Sequence, residues 1–175
     1  LPNLLAAFAK VKANGGAAGC DHQTIARYEV HRDGNLRNLS EQLRSGAYAP
    51  QRIRRVYIPK AGSRERRPLG IPTVRDRIVQ TALRHVIEPI FERDFAEHSY
   101  GFRPNRGCKD ALRRVDLLLQ AGYTHVVDAD LKSYFDTIPH PSLMERIGHK
   151  IADGRVRKLI EAFLTYCEIE KNRSR

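Results

Sequence analysis

Three aspartates lie close together downstream of two adjacent valines. Asp128, Asp130 and Asp136 follow Val126 and Val127. A short apolar run bounded by polar residues predicts a buried strand. An acid at the end of such a strand lies at the rim of a sheet, where its carboxylate can bind a metal ion. Acids at these spacings also occur in ordinary strand-to-helix turns, so the stretch alone leaves a metal site and a structural turn both open.

The chain carries a large excess of positive charge. Lys and Arg number 31 against 20 Asp and Glu, a formal net charge of +11 over 175 residues. Basic side chains gain free energy by displacing the counterions condensed on phosphates, so this excess favours a nucleic-acid partner. A basic globular protein without such a partner is the alternative. The hydrophobic content of 41% suffices for a folded core and excludes a wholly disordered chain.

Cysteine usage and hydropathy exclude several other classes. Cys20, Cys108 and Cys167 are far apart and form no Cys-x-x-Cys pair, which argues against a disulfide framework or zinc site and favours a reducing compartment. No apolar run is long enough to span a bilayer, so we expect no membrane partner. The first residues show neither an initiating Met nor a signal-peptide pattern, and the last are polar. We therefore expect both ends to be cuts in a longer chain.

A strongly basic segment precedes the aspartates. Residues 51–59 alternate like a strand and residues 61–63 form a turn signal, which together predict a β-hairpin. Within residues 51–70 a single anion, Glu65, faces seven cations: Arg52, Arg54, Arg55, Lys60, Arg64, Arg66 and Arg67. Such a hairpin suits a phosphate clamp, although for Arg52, Arg54 and Arg64 a solvated face is favoured. Lys60 and Arg67, each beside a proline, are the stronger candidates for phosphate contact.

Helical periodicity governs most of the remaining chain. It predicts helices over residues 3–14, 35–45, 108–121, 142–150 and 154–168. A longer helix should run from a capping box at Thr73 and Asp76 to about Phe95. The first helix should bury one apolar face: Leu4, Leu5, Phe8 and Val11. Residues 15–22 are Gly-rich but lack the strand and lysine of a phosphate cradle, so we expect a loop. Residues 99–107 interleave aromatic and basic side chains, which fits either base stacking or a packed aromatic corner.

Four short motifs follow one another along the chain. They are Tyr57-Ile58-Pro59-Lys60, Arg67-Pro68-Leu69-Gly70-Ile71-Pro72-Thr73-Val74-Arg75-Asp76-Arg77, Tyr100-Gly101-Phe102-Arg103-Pro104 and Asp130-Leu131-Lys132-Ser133-Tyr134-Phe135-Asp136-Thr137-Ile138. In order and spacing the chain resembles the group II intron reverse transcriptase/maturase family. The resemblance implies an α+β fold: the fingers and incomplete palm of a right-hand polymerase, helix-rich, with a β-hairpin and a short palm sheet.

The same resemblance divides the chain into three regions. Residues 1–46 would form an N-terminal extension and the first fingers helices. Residues 47–122 would form the fingers, with the basic hairpin, the long helix and a template loop. Residues 123–175 would form the first part of the palm.

Roles in catalysis and nucleotide binding also follow from the resemblance. Asp130 would be the first catalytic aspartate and would bind both Mg²⁺ ions, with the Leu131 carbonyl as a further ligand. Lys60 and Arg67 would hold the triphosphate of the incoming deoxynucleoside triphosphate. Phe135 would block a ribose 2′-hydroxyl and so select deoxynucleotides.

A second group of residues would contact the template. By resemblance, Ile71 and Pro72 would cover the templating base, and Arg75 and Arg103 would contact the template or the intron RNA.

For two acids near Asp130 we expect structural roles rather than metal binding. Asp128 would influence the site only indirectly, and Asp136 would cap or anchor the following turn.

The implied function is RNA-directed DNA synthesis for a mobile group II intron. Such an enzyme extends a DNA primer on an RNA template by two-metal nucleotidyl transfer and assists splicing of the intron RNA, here in a bacterial cytoplasm. A non-catalytic maturase that only binds intron RNA is one alternative. Another bacterial reverse transcriptase, of the retron or diversity-generating type, is the other. The presence of Asp130, Lys60 and Arg67 favours an active enzyme.

One departure from the family pattern limits this expectation. The Tyr-Ala-Asp-Asp-type hairpin that supplies the other metal ligands does not occur in the 175 residues, and neither does the Pro-Gln-Gly loop. We therefore expect the polypeptide alone to bind metal weakly and to be inactive. An incomplete palm would also leave an apolar sheet edge uncovered, which favours self-association, for example as a homodimer.

Overall fold

The computed structural model describes residues 1–59, 62, 64, 66–131 and 133–172, with side chains described up to residue 165. These residues form eight helices and a two-stranded antiparallel sheet, which confirms the predicted α+β composition. The elements are α1 (Pro2–Asn14), α2 (Ile25–Val30), α3 (Arg32–Ser45), β1 (Arg54–Pro59), β2 (Arg66–Ile71), α4 (Val74–Glu92), α5 (Cys108–Gln120), α6 (Tyr134–Thr137), α7 (His140–Gly148) and α8 (Gly154–Asn172). In this part of the chain no helix combines the length and apolar character that crossing a membrane requires.

The chain divides into two compact units. One consists of Leu1–Val86 together with the chain from His140 onward, and the other of Ile87–Pro139. The division falls within α4, because the last turns of that helix, from Ile87 to Glu92, belong to the second unit. The three regions expected from the sequence, with boundaries at residues 46 and 122, stay a prediction.

The apolar core of the first unit lies on α1, α3 and α4. On α1 the buried residues recur at helical spacing and form one stripe: Leu4, Ala7, Phe8 and Val11. The sequence prediction of Leu5 is wrong, since this side chain is 40% exposed. Leu5 lies about 100° around the helix from Leu4, and Ala7 completes the stripe instead. The core is closed by residues from the other elements: Tyr28, Leu36, Leu39, Val74, Ile78, Val79 and Ala82.

A short helix that the sequence prediction missed, α2, packs against α1. Thr24 begins it, because its Oγ1 accepts a hydrogen bond from the Arg27 backbone N–H at 3.2 Å. The Tyr28 ring then stacks on Phe8, with ring centroids 5.7 Å apart. The following helix, α3, ends where predicted, at a left-handed Gly46.

The predicted hairpin is confirmed. Its strands pair antiparallel from Arg54 opposite Ile71 to Pro59 opposite Arg66. Because side chains alternate between the faces of a strand, Arg67 and Ile71 share one face of β2. Two of the residues that the sequence singles out therefore lie on the same face of the hairpin.

The predicted buried palm strand is wrong for this structure. Residues 123–131 form no strand, and Val126 and Val127 are 80% and 93% exposed. A strand is stable only when its backbone pairs with a neighbour. Among the described residues the only paired strands are β1 and β2, which pair with each other. The short palm sheet expected from the sequence is therefore absent from the described residues.

The second unit buries little of its apolar surface. Its helix α5 has the predicted amphipathic pattern and a left-handed Gly122 after its end, yet none of its residues is buried. Four of its large apolar side chains are at least half exposed: Leu112, Val115, Leu117 and Leu119. Exposed apolar surface of this extent is typical of an interaction face, and self-association through it stays a prediction.

Candidate functional site

The predicted metal-binding segment lies in the second unit on an exposed stretch of chain. Asp128 and Asp130 are exposed, and Leu131 is 69% exposed. Ser133, with a left-handed φ of 52°, turns the chain into α6. On α6, Phe135 is 82% exposed and its ring lies edge-on to Tyr134, with centroids 5.5 Å apart. Asp130 and Phe135, to which the sequence gives separate roles in metal binding and sugar selection, are thus both exposed.

Asp130 and Leu131 offer the type of ligand atom that Mg²⁺ prefers, but too few ligands to hold the ion. Carboxylate and carbonyl oxygens are the ligands that Mg²⁺ prefers, and Asp130 and Leu131 provide both. Among the described residues, however, no three His, Cys, Asp or Glu side chains come close enough together to hold a metal ion. The metal-binding roles of Asp130 and Leu131 therefore stay predictions.

The basic hairpin of the first unit presents Arg67 to solvent. Arg67 is exposed and lies opposite Ile58 in the register. Ile71 and Pro72 follow, half-buried, where β2 leads into α4. Lys60, the predicted partner of Arg67 in triphosphate binding, lies outside the described residues. The structure therefore brings together Arg67, Ile71 and Pro72 along a single strand and its exit.

The Gly-rich loop of residues 15–22 packs against the backbone between β2 and α4. The sequence did not indicate this role. A Cβ added to Gly19 would lie 2.7 Å from both the Cα and N atoms of Thr73 and 2.9 Å from the carbonyl carbon of Pro72. The Arg77 guanidinium donates hydrogen bonds to the carbonyls of Gly15 at 3.1 Å and Ala17 at 3.0 Å. Burial lowers the pKa of Arg77. The loop thus packs directly on the backbone that follows Ile71.

Replacing Gly19 by Ala should lower the free energy of unfolding by about 2 kcal/mol, because the new methyl group meets fixed backbone rather than a mobile side chain. Gly34→Ala is the matched control. A Cβ at Gly34 meets no atom within 4 Å and lies within α3, so this change should raise stability by about 0.5 kcal/mol. Urea unfolding followed by circular dichroism measures both, and equal shifts in the two variants would contradict this account.

A buried carboxylate at the start of α4 anchors the chain that leads into β1. Asp76 is 1% exposed. It accepts hydrogen bonds from the Tyr48 hydroxyl at 2.6 Å and from the Gln51 backbone N–H at 2.9 Å. Thr73 caps the helix as predicted, since its Oγ1 accepts from the Asp76 N–H at 3.2 Å. Burial and the hydrogen bond to Asp76 raise the pKa of Tyr48, so its hydroxyl stays protonated and donates. Sequence reasoning identified only the cap.

Arg75, a predicted template contact, is engaged within the protein. Its guanidinium lies over the Tyr48 ring, 4.7 Å from the centroid, and donates to Gln42 Oε1 at 2.8 Å. It also reaches the Ala49 carbonyl at 3.5 Å. These contacts reinforce the anchor made by Asp76, and the template role of Arg75 stays a prediction.

Arg103, the other predicted template contact, is also engaged within the protein. Its side chain is 6% exposed. Nε and Nη2 donate to Glu92 Oε1 at 3.0 and 2.8 Å, and Nη1 donates to the carbonyls of Ala96 and Ser99 at 2.7 and 3.0 Å. Every nitrogen of the guanidinium thus has an acceptor in the second unit. Its predicted contact with the template stays a prediction, to which these hydrogen bonds lend no support.

The predicted site residues fall into the two units. Arg67, Ile71, Pro72 and Arg75 belong to the first, and Arg103, Asp130, Leu131 and Phe135 to the second. In each unit some of these residues are exposed, and the roles predicted for them stay predictions. The exposed residues are Arg67 and, in the second unit, Asp130, Leu131 and Phe135.

Comparisons with known proteins agree with the motifs. Residues 58–175, more than half of the chain, match the family described as reverse transcriptase (RNA-dependent DNA polymerase). The chain is 48% identical over 129 residues to Protein YkfC of Escherichia coli K12, covering 71% of the chain and 34% of that protein. It is 40% identical over 129 residues to the group II intron-encoded protein LtrA of Lactococcus lactis, covering 74% of the chain and 21% of that protein.

A plant relative is named as an intron maturase. The chain is 30% identical over 97 residues to nuclear intron maturase 1, mitochondrial, of Arabidopsis thaliana, covering 55% of the chain and 14% of that protein. The chain thus spans about a third or less of the length of each of these relatives. With the family match over residues 58–175 and relatives that include a group II intron-encoded protein and an intron maturase, the chain belongs to the group II intron reverse transcriptase/maturase family.

Proposed function

We propose that the protein carrying this chain synthesises DNA on an RNA template for a mobile group II intron and also assists the splicing of that intron's RNA. The observation that carries the proposal is the order of the four motifs within a chain that matches the reverse transcriptase family from residue 58 to residue 175. Bacterial relatives in Escherichia coli and Lactococcus lactis support a bacterial cytoplasm as its location.

The exposed residues have separate roles in this proposal. Mg²⁺, when bound, would stabilise the charge that develops as a primer 3′-hydroxyl displaces pyrophosphate from a deoxynucleoside triphosphate. Asp130 and the Leu131 carbonyl would supply some of its ligands. Phe135, 82% exposed, is free to meet the sugar of the incoming nucleotide. Arg67, also exposed, would hold phosphates.

The template strand would lie against the other end of β2. Ile71 and Pro72 are half-buried, so each keeps some surface for a templating base. The loop of residues 15–22 packs behind them and would keep this surface in place. Ile71 shares a face of β2 with Arg67, which supports a common substrate for both residues.

The 175-residue polypeptide alone should not extend primers. Its sequence holds no Asp-Asp pair, and a single carboxylate does not hold two divalent ions. The activity therefore needs a polypeptide that also contains the missing ligands. RNA binding, by contrast, should already be a property of the 175 residues.

We expect the chain to bind structured RNA with strong salt dependence. About four phosphate contacts would weaken binding roughly a hundredfold between about 50 and 200 mM salt. Fluorescence anisotropy with a labelled RNA stem-loop measures this dependence. Changing Arg64, Arg66 and Arg67 to Gln should reduce the slope of log K against log salt, because these three arginines of the hairpin are exposed.

The matched control removes the same charge elsewhere. Arg27, Arg32 and Arg37 are exposed on α2 and α3, and their change to Gln should reduce the slope less. Equal slopes for the two triple variants would show that net charge alone governs binding and would contradict a phosphate-binding hairpin.

In a complete enzyme, Arg67→Ala should raise the KM for deoxynucleoside triphosphates about tenfold, because a charge-assisted contact to phosphate is lost. RNA affinity should change by less than about twofold. Arg64→Ala at the exposed tip of the hairpin is the control and should leave KM unchanged. Steady-state primer extension at varied nucleotide concentration gives both values, and an equal rise in KM for the two variants would overturn the assignment.

A maturase that binds intron RNA without polymerase activity is the second candidate. The Arabidopsis relative named as an intron maturase favours it. The presence of Asp130, Lys60 and Arg67 favours the polymerase, because RNA binding alone requires no metal-binding carboxylate.

A further inference from the structure

One aromatic ring of the second unit is fully in solvent. Phe102 is 100% exposed. Its backbone has a φ of 55°, in the left-handed region that bulky side chains rarely adopt. A residue that packs against nothing and also strains its backbone adds nothing to the stability of the unit. Such strain persists where the surroundings impose it and is typical of functional positions.

The residue that follows Phe102 is held inside the unit. The Arg103 side chain is almost fully buried, and its guanidinium donates four hydrogen bonds, two to Glu92 and one each to the carbonyls of Ala96 and Ser99. Its guanidinium also lies over the Phe95 ring, 5.3 Å from the centroid. The arginine thus fixes the loop that follows α4 to the end of that helix. With Arg103 held inward, Phe102 is directed outward.

A second pair of rings lies on the same loop. His98 and Tyr100 stack with ring centroids 6.4 Å apart and ring planes inclined by 22°. The His98 Nδ1 and Tyr100 hydroxyl lie 3.2 Å apart. The loop therefore holds three rings at alternate positions, 98, 100 and 102, of which the last is wholly free to stack on a planar partner.

We propose that Phe102 is a stacking platform for an unpaired base of RNA, and that Arg103 is its positioning residue rather than a phosphate contact. The inference rests on the proposed function, because that function supplies single-stranded RNA. Every base has a π-face, so stacking on an exposed aromatic ring requires no particular sequence. RNA is favoured over an apolar protein partner because the chain carries a net charge of +11.

The test compares two RNA probes on the 175-residue chain. One is a stem-loop with a single-stranded extension that contains 2-aminopurine, and the other is the same stem without the extension. Phe102→Ala should weaken binding of the extended probe about tenfold and abolish the quenching of 2-aminopurine. Binding of the blunt stem should be unchanged. The slope of log K against log salt should also be unchanged, because the ring carries no charge.

Two further variants separate stacking from packing. Phe102→Gly removes the ring and relieves the left-handed backbone, so the midpoint of thermal unfolding should stay the same or rise while binding of the extended probe falls. A lower midpoint would show that the ring packs on the protein and would overturn the proposal. Tyr123→Ala is the matched control, since Tyr123 is an exposed aromatic residue of the same unit, and it should change neither property.

Arg103→Lys tests the positioning role. Lysine keeps the charge but cannot reproduce the planar set of hydrogen bonds. We expect the quenching of 2-aminopurine to be lost. Arg103→Gln, which removes the charge, should also lose the quenching and should leave the slope of log K against log salt unchanged. A reduced slope for Arg103→Gln would identify Arg103 as a phosphate contact, and unchanged quenching for Arg103→Lys would show that it does not position Phe102. Either result overturns this part of the proposal.

The outcomes also distinguish the inference from the proposed function. If the unaltered chain binds neither RNA probe, the stacking inference and the proposed RNA-binding function both fail. If it binds both probes and Phe102→Ala binds the extended probe as tightly, only the stacking inference fails.

Discussion

Replacing Asp130 by Asn should reduce RNA-templated DNA synthesis about a thousandfold or more. The suitable background is a group II intron reverse transcriptase whose corresponding segment has been replaced by this chain. A bound divalent ion provides several kcal/mol of transition-state stabilisation, and Asn lacks the charge that holds the ion. Because Asp130 is exposed, the change should not alter stability. Primer extension with a labelled DNA primer on an RNA template gives the rate.

Asp128→Asn is the matched control for this prediction. Asp128 is an exposed carboxylate two residues upstream, and we expect only an indirect influence on the site. Its rate should fall by no more than about tenfold, the lower end of what changes outside the direct metal ligands cause. If the two variants lose the same fraction of activity, Asp130 has no special role as a metal ligand.

Replacing Asp76 by Ala should destabilise the chain by about 3 kcal/mol. The change removes a buried carboxylate that accepts hydrogen bonds from the Tyr48 hydroxyl and the Gln51 N–H. It leaves these two donors without their acceptor. For a chain of this length the midpoint of thermal unfolding should fall by about 10 °C.

Two comparisons make the Asp76 result specific. Tyr48→Phe removes one of the two hydrogen bonds and should cost about half as much. Asp33→Ala removes an exposed carboxylate that pairs with Arg32 at the surface, and its midpoint should hardly change. If Asp76→Ala unfolded no more easily than Asp33→Ala, the proposed anchor between α4 and the chain entering β1 would be wrong.

The elements that depend on local patterning were predictable. Helical spacing identified α1, α3, α4, α5, α7 and α8, and alternation with a turn signal identified the hairpin. The helix α2 was missed because its six residues carry too little periodicity, although Thr24 provides a cap. The buried palm strand was wrong because a strand depends on a partner elsewhere in the chain, and valines next to each other cannot specify one.

The residues of the candidate site were predicted from the motifs, and their roles stay predictions; the contacts around them could not be predicted. Asp130, Phe135 and Arg67 follow from motif position, and all three are exposed. The contacts of Arg75 and Arg103 did not follow, because the sequence around an arginine does not show whether its guanidinium contacts phosphate or acceptors within the protein. Glu92, the partner of Arg103, lies 11 residues away at the end of α4. Only the folded chain pairs them.

RNA-templated DNA synthesis by the chimaeric enzyme tests the central claim most directly. With an RNA template, an annealed DNA primer, deoxynucleoside triphosphates and Mg²⁺, the chimaera should extend the primer, and extension should vanish when Asp130 is changed to Asn. A chimaera that folds, binds the template and incorporates no nucleotide, while its unreplaced parent does, would contradict the assignment of this chain to RNA-directed DNA synthesis.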